Sequence, residues 1–310
     1  MIKISVVIPC YRSEQTITSV VESIIETMAK RPAYDYEVIL VNDGSPDNTF
    51  SVLSELAEKH SCVCAVDLTK NFGQHSALMA GYSLVSGDYI LGMDDDGEHD
   101  PSRLFDLVDE LEKGYDYVCA QFPSFDRSIY KKLGSKLNNW MATKFVGKPE
   151  DAIFSSYYIM RRFVVDEIVK TKNPHPYVGG MIVAVTQRLS SVPMPHSERI
   201  SGTSSYNFKN SLFLWLSGIT SFSAKPLRIA SYVGFLVALL GFLLGIIMIV
   251  RKFLEPSIAA GYTSLVALLL FVGGLQMALM GLMGEYIGST YMLVNSIPQY
   301  SIRTIVKKDS

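Results

Sequence analysis

Two stretches of this 310-residue chain carry no charge at all. They are Ile229–Val250 and Tyr262–Met283, each 22 residues long. A helix needs about 20 predominantly apolar residues to cross the hydrocarbon core of a bilayer, so each run is long enough. Neither run has a polar face, and a helix apolar all round belongs in lipid or in a large core. Only the short segment Arg251–Gly261 separates them. The pattern predicts a transmembrane helical hairpin over 229–288, with helices at about 229–250 and 262–284. Lys209, Lys225 and Arg228 precede it and Arg303, Lys307 and Lys308 follow it, whereas the connection holds only Arg251 and Lys252. Positive residues are retained on the cytoplasmic side, so both termini are expected there, with 289–310 as a cytoplasmic tail. Asn207–Phe222 is apolar and aromatic around Trp215. It suggests interfacial juxtamembrane helices over 207–228, with an ordinary buried helix as the alternative because no strongly charged face is visible.

The remainder, 1–206, reads as a different kind of protein. Ile2–Pro9, Tyr36–Val41, Cys62–Leu68, Tyr89–Met93 and Tyr117–Gln121 are short, nearly continuous apolar runs, the signature of strands buried on both faces. Between them the apolar period changes to that of a helix. Ile17, Val20, Val21, Ile24, Ile25 and Met28 form one stripe, and Phe50–Ala57, Ala77–Val85 and Leu104–Leu111 repeat it. Alternating strands and helices imply βαβ crossovers and a mostly parallel α/β sheet. Helices are also expected over 131–146 and 164–171. A net charge of −2 excludes a nucleic-acid binder, which needs a strong basic excess. Cys10, Cys62, Cys64 and Cys119 lie in apolar runs without zinc spacing and are expected to be reduced thiols. No cleavable signal is visible, since Pro9 interrupts the first apolar run.

Ligands of open parallel sheets bind beyond the carboxyl ends of the strands, and the polar clusters fall there. Asp94-Asp95-Asp96 follows the fourth strand. In an extended segment Asp94 and Asp96 project to one side, and hard oxygen donors so placed suit Mg²⁺ or Mn²⁺, with water and a diphosphate completing the shell. Clustered carboxylates repel unless a cation lies among them. The alternative is a solvated acidic turn before a helix beginning at Asp100-Pro101. In Val41–Thr49, Asp43 ends a strand where it can accept hydrogen bonds from a base or ribose, while Asp47 or Asn48 caps the next helix. Ile8–Glu14 and Lys70–His75 each lead into a helix whose first turn can face phosphate oxygens.

These four loops, VVIPCYRSEQTI, VNDGSPDNT, NFGQHSALMAG and MDDDGEHDP, resemble the family 2 glycosyltransferases of the GT-A fold. The likeness is closer to their polyprenyl-phosphate (dolichol-phosphate type) sugar synthase branch. It continues through Asp151, Arg199–Tyr206, Gly218–Arg228, the apolar hairpin, Gly284–Gly288 and Pro298–Tyr300. The resemblance implies an inverting transfer of a sugar from a nucleotide-sugar to polyprenyl phosphate of undecaprenyl type, for cell-envelope glycan assembly, in a bacterial inner membrane. It implies donor contacts at Pro9, Tyr11, Glu14, Asp43, Lys70, Asn71, Gly73, Asp94 and Asp95, and a metal on Asp94 and Asp96. Arg127, Lys131, Arg199 and Ser204 are expected at the acceptor phosphate, and the resemblance implies Asp151 as the catalytic base, although a dianionic acceptor phosphate leaves it little proton to remove and makes it an orienting group. A homo-oligomer, tetrameric in that branch, is also implied. Tyr158, Ser205 and Ile297 occupy positions usually basic there, and GEHDP replaces the usual LQDPP or LQHPP.

Two other readings compete. A processive polysaccharide synthase shares the donor domain but carries Q-x-x-R-W, and neither Trp140 nor Trp215 fits that motif. A flippase or non-catalytic membrane scaffold would need more than two spans to enclose a pathway, and would have no use for intact acids.

Overall fold

The computed structural model describes residues 1–122, 153–195, 225–254 and 261–308, with only part of the side chains on the two long helices. The chain divides into one unit of Met1–Ser211 with Ser296–Ser310 and a second of Leu212–Asn295.

In the first unit the apolar runs become strands. β1 (Ile2–Cys10) is buried from Ile4 onward, and α1 (Ile17–Ala29) lays Ile17, Val20, Val21, Ile24 and Met28 into the core. There follow β2 (Tyr34–Asn42), α2 (Thr49–Lys59), β3 (Val63–Leu68), α3 (Gln74–Tyr82) and β4 (Tyr89–Gly92). A single turn, Pro101–Arg103, is capped by the Asp100 side chain, which accepts from the Ser102 amide at 2.9 Å. It opens α4 (Leu104–Leu111), and β5 (Tyr117–Gln121) comes next. The five strands and four helices expected before residue 122 are all present, with ends shifted by a few residues.

After residue 152 the described chain forms β6 (Tyr158–Arg161), α5 (Arg162–Ile168), α6 (Val178–Val185) and β7 (Leu189–Pro193), and near the C-terminus β8 (Ile302–Lys307). The described strands form one sheet in the order β7-β5-β6-β4-β1-β2-β3-β8. β1 is parallel to β2 and β4, β2 to β3, and β5 to β7. β6 is antiparallel to β4 and β5, and β8 is antiparallel to β3. The antiparallel strands have a consequence for the site. Gly92 pairs with Tyr158 and Leu68 with Ile302, so the chain enters both β6 and β8 beside the carboxyl ends of parallel strands.

Three features differ from the sequence reading. The stretch 289–310 is more than a tail: it holds the end of a helix and β8, a strand of the sheet. β6 and β7 come from a region whose pattern showed no strand. Tyr158 is 4% exposed, stacks on Tyr117 at 5.5 Å between ring centroids, and shares a hydrogen bond with the Tyr82 hydroxyl. A Cβ on Gly92 would collide with its ring. This position is therefore interior packing rather than a vacated phosphate contact. The expected helix over 131–146 and the juxtamembrane segment 207–224 lie outside the described residues.

The second unit contains α7 (Lys225–Leu254, 30 residues) and α8 (Tyr262–Val294, 33 residues). At 1.5 Å per residue they are about 45 and 50 Å long. Phe235, Phe242, Leu269, Phe271 and Met277 are all exposed. Counted over the residues whose side chains are described, no helix is long and apolar enough to cross a membrane.

Candidate active site

The site is built where β1, β2, β3 and β4 end. Asn42 and Asp43 are both 3% exposed. The Asp43 amide donates to the Cys10 carbonyl at 3.0 Å, which ties the end of β2 to that of β1. Its carboxylate accepts two backbone N–H groups from the loop after β3, Phe72 at 2.7 Å and Gly73 at 2.9 Å. Burial pushes its pKa up, and those two bonds work against the rise. The loops touch at Gly44, whose φ of +60° suits glycine. A Cβ there would strike the Lys70 carbonyl carbon and the Asn71 nitrogen.

The first loop is fastened to the others in turn. Arg12 has φ +59°, and its amide donates to Ser45 Oγ at 2.9 Å. The Ser13 amide donates to Thr49 Oγ1 at 2.9 Å, and the Asn48 amide to Glu14 Oε2 at 3.0 Å. Pro9 is buried inside β1, whereas Tyr11 stays 44% exposed with the Arg12 guanidinium 5.5 Å from its ring centroid. Arg12, Glu14, Gln15, Thr16, Pro46 and Asp47 line a cavity of about 450 Å³ at this edge.

The acidic run lies past the end of β4, and its three carboxylates face different partners. Asp95 turns inward: its Oδ2 accepts the Tyr11 amide at 3.1 Å and the Ser13 hydroxyl. Burial, with the charge of Asp94 adding to it, pushes the Asp95 pKa up to about 6. Asp94 Oδ1 accepts from Gln74 Nε2 at 2.8 Å, and Asp96 Oδ1 from the Glu98 amide at 3.0 Å. His99, 4% exposed, is stacked between Phe122 and Tyr157 at centroid distances of 5.7 and 5.1 Å. Its Nδ1 accepts the Asp94 amide at 3.0 Å, and its Nε2 lies 3.4 Å from Ser156 Oγ. That sandwich ties the acidic loop to the ends of β5 and the segment entering β6.

Lys70, Asn71 and Gly73 stand on the loop between Asp43 and α3, with Lys70 Nζ 5.0 Å from the Phe72 ring centroid. His75, in the first turn of α3, meets the Tyr177 ring edge-on at 5.6 Å, and burial lowers its pKa to about 4, so it is neutral. The expected donor and metal residues thus share one network of loops. Asp151, Arg127, Lys131, Arg199 and Ser204 lie outside the described residues, as does Ser205. Sequence reasoning gave no separate role to Ser13, Gln74, Ser156 or His99. Among the described residues no group of three or more His, Cys, Asp and Glu side chains is placed to hold a metal ion.

Residues 5–169 match Glycosyl transferase family 2, and residues 225–290 match the GtrB C-terminal hairpin. The chain belongs to glycosyl transferase family 2. This glycosyltransferase is 34% identical over 307 residues to the undecaprenyl-phosphate 4-deoxy-4-formamido-L-arabinose transferase of Proteus mirabilis, covering 98% of this chain and 94% of the relative. To the protein of the same name from Klebsiella pneumoniae (strain 342) it is 34% identical over 309 residues, with 99% and 94% covered. Among solved structures it resembles glucosyl-3-phosphoglycerate synthase from Mycobacterium tuberculosis, in complex with Mn²⁺, UDP-glucose and phosphoglyceric acid, with a TM-score of 0.52 and 19% identity over 71% of this chain and 78% of that one. Mannosyl-3-phosphoglycerate synthase from Rubrobacter xylanophilus gives a TM-score of 0.52 and 16% identity over 73% and 74%. These likenesses establish the GT-A fold, with a C-terminal helical hairpin after it.

Proposed function

We propose that this transferase moves a sugar from a nucleotide-sugar to polyprenyl phosphate, of undecaprenyl type, at a membrane face. The carrying observation is the interlocked carboxyl-end network of Asp43, Asp94, Asp95, Tyr11 and the Lys70–Gly73 loop. It occurs in a chain whose full-length relatives are named for transfer to undecaprenyl phosphate. A sugar of the 4-formamido-pentose kind is the first donor to test.

In this reading Asp43 and Tyr11 meet the nucleoside, and Pro9 and Glu14 shape that edge. Lys70, Asn71 and Gly73 meet the phosphates. Asp94 and Asp96 are hard carboxylate donors whose oxygens are oriented by Gln74 and the Glu98 amide, a donor set that fits Mg²⁺ or Mn²⁺ completed by a diphosphate and water. When bound, that ion supplies charge stabilisation of the leaving nucleoside diphosphate. An acceptor phosphate oxygen bonds to the anomeric carbon as the bond to the diphosphate oxygen breaks, and the electron pair leaves with the diphosphate. A phosphate monoester is mostly a dianion above about pH 6, so little proton has to be removed. Asp151 then orients the acceptor, with Arg127, Lys131, Arg199 and Ser204 around its phosphate. The places of these residues rest on the sequence resemblance, and the orienting role of Asp151 on the ionisation of the acceptor phosphate.

The hairpin crosses the membrane twice in this reading, from its two uncharged 22-residue runs, with the catalytic unit and both termini cytoplasmic and a homo-oligomer as the assembly. A cysteine at position 257, in a background without the four native cysteines, should react with an impermeant reagent in intact cells, and one at position 310 should not. The chemical test is nucleoside diphosphate release by the detergent-purified protein with Mn²⁺ and a panel of nucleotide-sugars. Undecaprenyl phosphate should support release and undecaprenol should not. Equal turnover with the free alcohol or a soluble sugar would overturn the assignment.

A further inference from the structure

We infer that β8, through Arg303 and its partner Asp67, is a positioning element for the donor loop, so that nucleotide binding depends on the chain after the hairpin. The inference rests on the donor reading of the Lys70–Gly73 loop and adds residues that reading does not contain.

The root of that loop is Thr69, and the C-terminal segment holds it from both sides. The Thr69 amide donates to the Ser301 carbonyl at 2.9 Å, and the Thr69 carbonyl accepts from Arg303 Nη2 at 2.9 Å. A second arm of the same guanidinium, Nη1, lies 3.4 Å from Asp67 Oδ2. The other oxygen of Asp67 accepts from Asn42 Nδ2 at 2.7 Å, and Asn42 Oδ1 accepts the Ser45 amide at 3.2 Å. One guanidinium therefore links the loop after β3 to the loop after β2, on either side of Asp43.

The backbone is shaped for this. Asp67 pairs with Thr304 and Leu68 with Ile302, so Arg303 is the extra residue where the register shifts. Such a bulge re-aims a side chain relative to a regular strand. An ordinary surface ion pair contributes little, and the Arg303 side chain is 60% exposed. The Asp67 side chain, at 7% exposure, is not ordinary. Removing its cation leaves a buried carboxylate short of a partner, which is costly. The strain would be relieved by movement of the nearest adaptable segment, Thr69–Gly73, which carries the two amides bonded to Asp43.

The test uses the full-length protein in detergent and works whichever sugar the donor carries. In Arg303→Ala, hydrogen exchange at the Phe72 and Gly73 amides should quicken by about tenfold, the scale of one lost charge-assisted hydrogen bond, while the amides of β1 stay unchanged. Affinity for UDP with Mn²⁺ should fall by about tenfold. Arg303→Lys, which keeps the charge and loses the fork, should recover part of both. Should Arg303→Ala fail to fold, Asp67→Asn should move both readouts in the same direction. Unchanged exchange at Phe72 and Gly73, or quickening spread evenly over β1, would overturn the inference. Quickening confined to Phe72 and Gly73 with unaltered UDP affinity would support the clamp and refute the donor reading beneath it.

Discussion

The two acidic loops of this transferase end strands that flank the same neighbour, β2 and β4 on either side of β1, yet they treat charge in opposite ways. Asp43 is almost fully buried and both its oxygens are engaged by backbone N–H groups. Its charge is answered within the protein, and it fixes the Lys70–Gly73 loop. Each carboxylate oxygen has a second lone pair, so contact with a ribose or base remains compatible with that duty. Asp94, Asp95 and Asp96 follow one another past the end of β4 and face different partners: Asp94 accepts from Gln74 with His99 Nε2 3.9 Å away, Asp95 from the Ser13 hydroxyl and the Tyr11 amide, and Asp96 from the Glu98 amide. Packing has created one anion that is bonded on both oxygens by the backbone, and one acidic run that, under the proposed function, would hold a cation.

The largest effect should come from the second loop. Asp96→Ala is expected to lower transfer by about 10³-fold, the several kcal/mol that a metal ion contributes to a leaving diphosphate, with the far-UV circular dichroism spectrum unchanged. Chelation of the wild type should do the same. Full activity in EDTA would erase the contrast between the two loops.

Asp43→Asn probes the first loop. One amide oxygen cannot replace two carboxylate oxygens facing two N–H donors, so about 1–3 kcal/mol of stability should be lost and UDP should bind about tenfold more weakly. A variant of wild-type stability would show that the loop does not depend on this anion.

A pH titration of stability compares the loops directly. Burial raises both Asp43 and Asp95, the latter to about 6. A carboxyl raised by folding holds its proton more tightly in the native state than in the unfolded chain, where aspartate titrates near about 3.9. The contribution of these two carboxyls to stability should therefore be greatest below about pH 4, fall by about 1–3 kcal/mol as pH rises to about 6, and level off above, while Glu22, Glu37 and Glu110, lowered by their partners, act in the opposite sense at acid pH. Thermal melts in EDTA should show this slope. Mn²⁺ should flatten the part due to Asp95 and leave that due to Asp43. A slope indifferent to Mn²⁺ would mean that the acidic run is not held by a cation.

Tyr158→Phe should give the smallest effect. It removes the hydroxyl shared with Tyr82 beneath the acidic loop and should cost about 1 kcal/mol while leaving transfer within about twofold. A large loss of transfer in a stable variant would return this position to the acceptor site.

What could be read without coordinates follows from periodicity. The continuous apolar runs of β1 to β5 and the stripes of α1, α2 and α4 report burial on both faces or on one, because each side chain's direction is set by its own backbone period. The acids at strand ends were legible for the same reason: a parallel sheet puts its loops at one end. The short strands β6 and β7 were not, since four or five residues in a region broken by prolines carry too little pattern to distinguish from loop.

The chain alone thus determined the α/β unit, the two uncharged 22-residue runs within the long helices and the loops that hold Asp43 and Asp94–Asp96, since local composition dictates each of them. Only the tertiary structure decided how those acids differ, that His99 is sandwiched between Phe122 and Tyr157, and that a strand more than 230 residues downstream of Thr69 grips it through Arg303. Such partners are distant in sequence and meet through sheet order and register. No local period records which strand end a returning segment will reach.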